Sequence, residues 1–142
     1  MFSGLEQYQQ GHFFFEKGDN LRTVSKFVPD LPGVYYVLRL AKGKVEIVYI
    51  GKSGTILQTG SFKGQTLRSR INNKQENIKR QDYFTQKIEN EQIDALDIYW
   101  FVTIDEKNND LPGYLEGFLM QQYFKIYGRL PEWNKEFNLT NI

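Results

Sequence analysis

The chain has 142 residues, a formal net charge of +1, 40% apolar residues and 25% charged residues. This length fits one ordinary domain, which can bury about two-thirds of its unfolded surface without disulfide or metal staples. The absence of cysteine and the single histidine, His12, exclude a disulfide framework, a Cys/His zinc site and a cysteine nucleophile. No segment approaches the ~20 consecutive apolar residues of a membrane span, and the N-terminus does not resemble a signal peptide. We therefore expect a cytoplasmic protein that does not interact with membranes.

Turn and loop residues divide the sequence into short elements, and their order predicts a mixed α+β domain. Residues 12–16 are predicted to form a strand, and a short helix is predicted to begin at Asn20 or Thr23. Further strands are predicted near residues 33–40, 45–51 and 96–104, and further helices near residues 66–74, 78–90 and 112–127. We treat residues 1–32 as an N-terminal extension that packs on a core domain of residues 33–142.

The last predicted helix should turn an apolar stripe toward the core and end at Gly128. The stripe consists of Leu115, Phe118, Leu119 and Ile126. Gly117 costs about 1 kcal/mol relative to alanine inside a helix. We therefore expect another part of the chain, such as a strand, to approach this helix closely at Gly117.

The charges are unevenly distributed along the sequence. Residues 63–87 contain seven positive side chains and two carboxylates, a net charge of +5, whereas residues 89–116 contain eight carboxylates and one lysine, a net charge of −7. The first segment predicts a surface that faces phosphate groups, although both segments could also be ordinary solvated surfaces. The positive side chains that we assign to nucleic-acid binding are Lys63, Arg68, Lys74, Lys79 and Arg80.

Two predicted strands each carry a tyrosine beside a glycine, in Gly33-Val34-Tyr35 and Tyr49-Ile50-Gly51. A two-residue loop between the strands would place Tyr35 opposite Ile50, whereas a three-residue loop would place it opposite Tyr49. Gly43 stands where a three-residue hairpin loop needs a left-handed residue. We therefore predict the loop Ala41-Lys42-Gly43, with the two tyrosines directly opposite each other. Tyrosine is also a common strand residue, so the pair alone does not identify a site.

The segment Gly51-Lys52-Ser53 matches the end of a phosphate-binding loop of the form G-x-x-x-x-G-K-[ST]. The first glycine of that motif is missing, because Glu46 occupies its position. A carboxylate there would oppose the phosphate that the backbone amides should bind. We therefore exclude nucleotide binding through this loop.

Five separated elements, taken together, resemble the GIY-YIG nuclease domain from about Leu31 to Asn134. They are the two tyrosine segments, Arg70 within Leu67-Arg68-Ser69-Arg70-Ile71, Glu116 early in the last helix, and Asn134 at the end of Pro131-Glu132-Trp133-Asn134. The resemblance implies an α+β fold with a central three-stranded, mainly antiparallel sheet that is flanked by helices. It also implies metal-dependent hydrolysis of DNA phosphodiester bonds.

The resemblance also implies a role for each residue of the site. Tyr35 would be the general base, and Tyr49 would share or exchange this role, although an unperturbed tyrosine titrates only near pH ~10. Arg70 would stabilise the five-coordinate phosphate, because its forked donors match phosphate oxygens. Glu116 would hold Mg²⁺ or Mn²⁺, and Asn134 would hold a loop against the active-site helix. Lys52 would contact the scissile phosphate or support a tyrosine, but an ordinary surface lysine is an equally good interpretation.

The substrate is expected to be DNA, bound mainly through its backbone phosphates and with weak or structure-dependent specificity. Loops such as residues 55–63 or a partner protein would supply targeting. Two alternatives remain open: a catalytically inactive nucleic-acid-binding module and a protein-interaction module, both on the same fold.

Overall fold

Residues 2–137, which the computed structural model describes, form an α+β fold around a four-stranded antiparallel sheet. The elements in chain order are β1 (Gln9–Phe15), α1 (Leu21–Val24), β2 (Gly33–Ala41), β3 (Lys44–Ser53), β4 (Thr55–Ile56), β5 (Phe62–Lys63), α2 (Leu67–Ile71), β6 (Lys74–Gln75), β7 (Ile78–Lys79), α3 (Arg80–Glu91), β8 (Ala95–Val102) and α4 (Pro112–Tyr127). The strand order in the main sheet is β1-β8-β2-β3. Two small hairpins, β4–β5 and β6–β7, lie outside this sheet.

The main sheet has one more strand than the three that the sequence predicted. The additional strand is β1, which pairs with β8 along its whole length, from Gln9 opposite Val102 to Phe15 opposite Leu96. Residues 1–32 therefore contribute an edge strand and do not only pack on the outside of the sheet. A sequence pattern can predict a strand but does not show which distant strand it pairs with, and the partner of β1 lies about 85 residues away.

The β2–β3 hairpin differs from the predicted one in loop length and register. Its loop is the two-residue turn Lys42-Gly43, with Ala41 opposite Lys44 and φ angles of 54° and 74° at the two turn residues, as in a type I′ turn. The ladder then shifts by one residue between Val37 and Leu38, where β3 carries a bulge. The prediction of a three-residue loop was therefore wrong.

The bulge determines where the two tyrosines lie. Tyr35 is opposite Gly51 and Tyr49 is opposite Val37, so the tyrosines are diagonal neighbours and not a directly opposed pair. They still share one face of the sheet, with ring centroids 6.0 Å apart, because the extra residue in β3 offsets the shorter loop.

Helices cover both faces of the sheet. The face that carries Tyr35 and Val37 packs against residues of α1, α2 and α3, including Leu21, Leu67 and Phe84. On the opposite face, α4 and residues near Leu5 pack over a second cluster of apolar side chains. This cluster includes Val34, Ile50, Phe101, Leu115 and Leu119. The sheet is thus the middle layer of the fold, and β3 forms one of its edges.

The apolar stripe on α4 was predicted only in part. Leu115 and Leu119 are buried as expected, together with Met120 and Tyr123. Phe118 and Ile126 are instead exposed, at 37% and 59%. Phe118 stacks on the exposed Tyr114 at the flank of the stripe, and Ile126 lies in the last helical turn, before the left-handed cap at Gly128.

Gly117 of α4 does not mark a close approach. The nearest heavy atom to a Cβ placed on this glycine is Cζ of Phe137, at an ordinary contact distance of 3.5 Å. The expectation that another segment packs closely there was wrong. Within residues 2–137, no helix has the length and apolar character needed to cross a membrane.

Candidate active site

The two tyrosines lie side by side because Gly51 has no side chain. Tyr35 is fully buried, and its ring lies across β3 at Gly51. A Cβ on Gly51 would lie 2.6 Å from Cζ of Tyr35 and 2.8 Å from Cε2 of Tyr49. The glycine of Tyr49-Ile50-Gly51 is therefore required by side-chain packing.

Gly33, at the start of β2, has a similar role on the other side of the site. A Cβ there would lie 2.0 Å from the carbonyl oxygen of Phe101 and 2.8 Å from Cδ1 of Leu67. Because Gly33 has no Cβ, both β8 and α2 can lie close to β2 at this position. The position of α2, and with it the position of Arg70, thus depends on Gly33.

Helix α2 anchors Arg70 as the sequence predicted. Thr66 caps the helix by accepting a hydrogen bond from the Ser69 amide, and Leu67 and Ile71 are fully buried. Arg70 is half-buried, and its Nη1 donates to the carbonyl oxygen of Lys74 at 3.2 Å. The guanidinium is therefore held by its own local structure and keeps further donors for a ligand.

Glu116 of α4 shares its electrostatic environment with two cations from the other elements of the site. Burial raises the pKa of the Glu116 carboxyl, and the positive charges of Lys52 and Arg70 act in the opposite direction. Lys52 and Arg70 are both half-buried. Helices α2 and α4 both pack against β3, so residues that are far apart in the sequence share one electrostatic environment.

Tyr49 is linked to the same group of residues. Its pKa is raised above the ordinary value, first by the neighbouring Tyr35 and then by burial and Glu116, while Arg80 and Arg70 act to lower it. A phenol with a raised pKa keeps its proton at neutral pH. In this structure Tyr49 is therefore suited to donating a hydrogen bond rather than to accepting a proton.

Arg80 is not on the basic surface where the sequence placed it. Its side chain is fully buried, and Nη2 donates to the hydroxyl of Tyr35 at 3.1 Å. Its Cζ lies 5.5–5.7 Å from the ring centroids of Tyr35, Tyr49 and Phe84. Within residues 2–137, Nε and Nη1 of this guanidinium have no hydrogen-bond partner.

A signal for the burial of Arg80 was present in the sequence. Tyr83, Phe84 and Ile88 follow Arg80 by three, four and eight residues, and all four are buried positions of α3. This spacing places Arg80 on the core-facing side of the helix. The interpretation as an exposed basic residue was wrong because the arginine was grouped with its charged neighbours and not with its apolar helical face.

Asn134 contacts a strand, whereas the sequence had predicted a contact with the active-site helix. Its Oδ1 accepts from the amide of Ile50 at 2.9 Å, and its Nδ2 donates to the carbonyl oxygen of the same residue at 3.0 Å. The amide of the preceding Trp133 donates to the carbonyl oxygen of Val48 at 2.8 Å. These bonds fasten the segment after α4 to β3, on both sides of Tyr49.

The other proposed nucleic-acid-binding residues differ in whether their side chains already contact other parts of the protein. Arg68 forms an ion pair with Asp30 and also donates to the carbonyl oxygen of Lys26. Lys63, Lys74 and Lys79 lie on the two small hairpins and are exposed. The lysines can thus meet a ligand without breaking an internal contact, whereas Arg68 would have to leave Asp30.

The residues of the site are compatible with a divalent cation held mainly by water and substrate. Among the described residues, no three His, Asp or Glu side chains form a metal-binding group. Glu116 supplies one carboxylate, and Mg²⁺ commonly uses one or two carboxylates together with waters and phosphate oxygens. Glu116 is therefore the residue that would hold the cation.

In comparisons with known proteins, no family model, no curated protein and no solved structure matched this chain. That this chain belongs to the GIY-YIG nucleases therefore stays a prediction, and it rests on the residues described above.

Proposed function

We propose that the protein is a metal-dependent endonuclease that hydrolyses DNA phosphodiester bonds. The observation that carries this proposal is the convergence of Tyr35, Tyr49, Arg70, Glu116 and Lys52 at one edge of the sheet, from four separate elements. A tyrosine pair, a guanidinium, a carboxylate and an ammonium can supply the proton transfer, the charge stabilisation and the cation binding that support this hydrolysis.

Each side chain has a distinct part in the proposed reaction. Water attacks phosphorus in line with the leaving 3′ oxygen, and the phenolate form of Tyr35, whose oxygen is held by Arg80, takes one proton of the water. The bond from phosphorus to the 3′ oxygen breaks, and the leaving oxygen takes a proton from bulk water. Tyr49 donates a hydrogen bond to the phosphate, since it keeps its own proton. Arg70 stabilises the five-coordinate phosphorus with its free donors. The products are a 5′-phosphate and a 3′-hydroxyl.

Glu116 and Lys52 complete the phosphate site. Lys52 contacts a non-bridging oxygen of the scissile phosphate, and the Glu116 carboxylate would hold Mg²⁺ or Mn²⁺. When bound, such a cation neutralises negative charge on the phosphate and on the leaving oxygen.

A second candidate function is a nucleic-acid-binding module without catalytic activity. The observation that favours it is the burial of Tyr35, which has 0% of its surface exposed. A general base must reach the proton of the attacking water, so catalysis requires DNA binding to open a path to the Tyr35 oxygen. A binding module has no such requirement.

Cleavage assays separate the two functions. Wild type, Glu116→Gln, Tyr35→Phe and the control Glu89→Gln are incubated with supercoiled plasmid and with flapped or branched DNA, in Mg²⁺, Mn²⁺ or EDTA. Glu89 is an exposed carboxylate on α3, so its variant tests charge loss away from the site. We expect metal-dependent nicking by wild type and Glu89→Gln only. DNA binding without cleavage on any substrate would support the binding module instead.

A further inference from the structure

We propose that a groove next to the active site binds a backbone phosphate of DNA away from the scissile bond. Arg22 of the N-terminal segment is the main residue that contacts this phosphate. The groove has a volume of about 370 Å³ and lies between α1 and the β6–β7 hairpin. Arg22, Lys74 and Lys79 line it, and its lining includes no carboxylate. We call it the Arg22 groove. The proposal rests on the proposed action on DNA.

Three cations from three different elements meet in the Arg22 groove. Lys74 and Lys79 are directly opposite each other in the β6–β7 ladder, a position where like charges destabilise a strand pair. Neither lysine nor Arg22 forms an ion pair with a carboxylate within residues 2–137. An anion bound between them would relieve this repulsion.

The walls of the groove are held in place by amide side chains. Gln81 of α3 accepts a hydrogen bond from the Leu21 amide at 2.6 Å and donates to the carbonyl oxygen of Asp19 at 2.9 Å. Asn72 donates to Ser25 Oγ and to the carbonyl oxygen of Arg68, both at 2.9 Å. These bonds fix α1 against α2 and α3, so the backbone that carries Arg22 is in place before any ligand binds. A preformed site loses less entropy on binding.

The position of the groove identifies DNA as its ligand. The carbonyl oxygen of Lys74 accepts the hydrogen bond from Arg70, the residue that we assign to the scissile phosphate. A nucleic-acid strand that places one phosphate at Arg70 would therefore continue past Lys74 into the groove. The acidic side chains nearest to these cations in the sequence are Asp19, Glu76 and Asp82, and none of them lines the groove.

Binding measurements without metal test this inference independently of cleavage. The affinity of wild type, Arg22→Gln and the control Lys44→Gln for fluorescent duplex DNA is measured in EDTA over a range of salt concentrations. Lys44 is exposed at the opposite end of the β2–β3 hairpin from Gly33. A third variant, Gln81→Leu, keeps all three cations but removes the two hydrogen bonds from Gln81 to Leu21 and Asp19.

We expect Arg22→Gln to weaken DNA binding several-fold and to reduce the slope of log affinity against log salt by about 0.9, the change for one lost phosphate contact. Lys44→Gln should leave the slope unchanged. Gln81→Leu should weaken binding, and adding Arg22→Gln to it should have a smaller effect than in wild type.

Two outcomes would overturn the inference. The first is that Arg22→Gln has the same slope of log affinity against log salt as wild type. The second is competition by poly-glutamate that depends on Arg22 as strongly as DNA binding does, since this would indicate an acidic protein partner. If wild type cleaves DNA but Arg22→Gln does not change the salt slope, only the proposed phosphate site in the Arg22 groove is refuted. If DNA binding depends on Arg22 but no DNA is cleaved, only the proposed nuclease activity is refuted.

Discussion

Replacing Gly51 with alanine should destabilise the protein although it adds only one methyl group. The new Cβ would lie 2.6 Å from Cζ and 2.7 Å from the hydroxyl oxygen of Tyr35, and 2.8 Å from Cε2 of Tyr49. All three distances are below 3.0 Å, so the rings must move. Tyr35 has no free space around it, because it is fully buried and its hydroxyl is bound to Arg80.

The size of the effect follows from what must be displaced. Overpacking a well-filled core costs about 1–3 kcal/mol, and moving Tyr35 also weakens a hydrogen bond that contributes about 1 kcal/mol or more, because its donor is charged. We expect Gly51→Ala to lower the free energy of unfolding by about 2–4 kcal/mol. Gly113→Ala is the control, because a Cβ on Gly113 meets no atom within 4 Å and its backbone is helical. It should have no effect or stabilise the protein by up to about 1 kcal/mol.

Urea unfolding followed by tryptophan fluorescence measures both variants. The same substitution in a Tyr35→Ala background tests the mechanism, since the ring that makes the two shortest contacts is then absent. There, Gly51→Ala should cost less than about 1 kcal/mol relative to Tyr35→Ala alone. An equal loss of stability in both backgrounds would refute the argument that the Tyr35 ring excludes a side chain at position 51.

Two further predictions concern buried charge. Arg80→Met removes a guanidinium with two unpartnered nitrogens, so the free energy of unfolding in urea should change by no more than about 2 kcal/mol. DNA cleavage should fall strongly, because the oxygen of Tyr35 is no longer held by Arg80. Unchanged cleavage would contradict this positioning role. Since burial raises the pKa of Glu116 above its ordinary value of 4.5, its native carboxyl binds protons more tightly than the unfolded one. Stability should therefore fall as the pH rises from about 4.5 to the raised pKa. The free energy of unfolding in urea, measured at pH ~4 and at pH ~7, should decrease more in wild type than in Glu116→Gln. An equal decrease in both proteins would contradict this prediction.

Local sequence patterns were sufficient where a helix needs only its own residues. The spacing of Leu67 and Ile71 predicted α2 and its buried face, although α2 ends at Ile71 and Lys74, at the end of the predicted helix, lies in β6. Pro112 and Gly128 bound α4 as expected. The hairpin was less predictable, since its register depends on a bulge near Val48 that no residue type in that part of β3 indicates. The left-handed conformation of Lys42 is also unusual for a residue other than glycine, so the sequence favoured a longer loop.

Tertiary contacts, rather than local patterns, decided the remaining differences. The pairing of β1 with β8 joins segments that are distant in sequence, and no propensity encodes such a choice. Arg80 shows the opposite case, because its helical face was visible in the sequence but its charge argued against burial. Its burial becomes intelligible only when three aromatic rings and the hydroxyl of Tyr35 surround it.

The contacts of Asn134 explain why an asparagine suits the end of the Pro131-Glu132-Trp133-Asn134 segment. Its amide offers one acceptor and one donor to the N–H and the C=O of Ile50, and so satisfies both backbone groups as a neighbouring strand would. An aspartate of the same shape would offer only acceptors when ionised and would leave the carbonyl oxygen of Ile50 without this donor. The side chain thereby caps the edge of β3, which would otherwise be open to pairing with another chain. Because Tyr49 lies between the two backbone attachments, at Val48 and Ile50, the same bonds that close the edge also hold the tyrosine in the site.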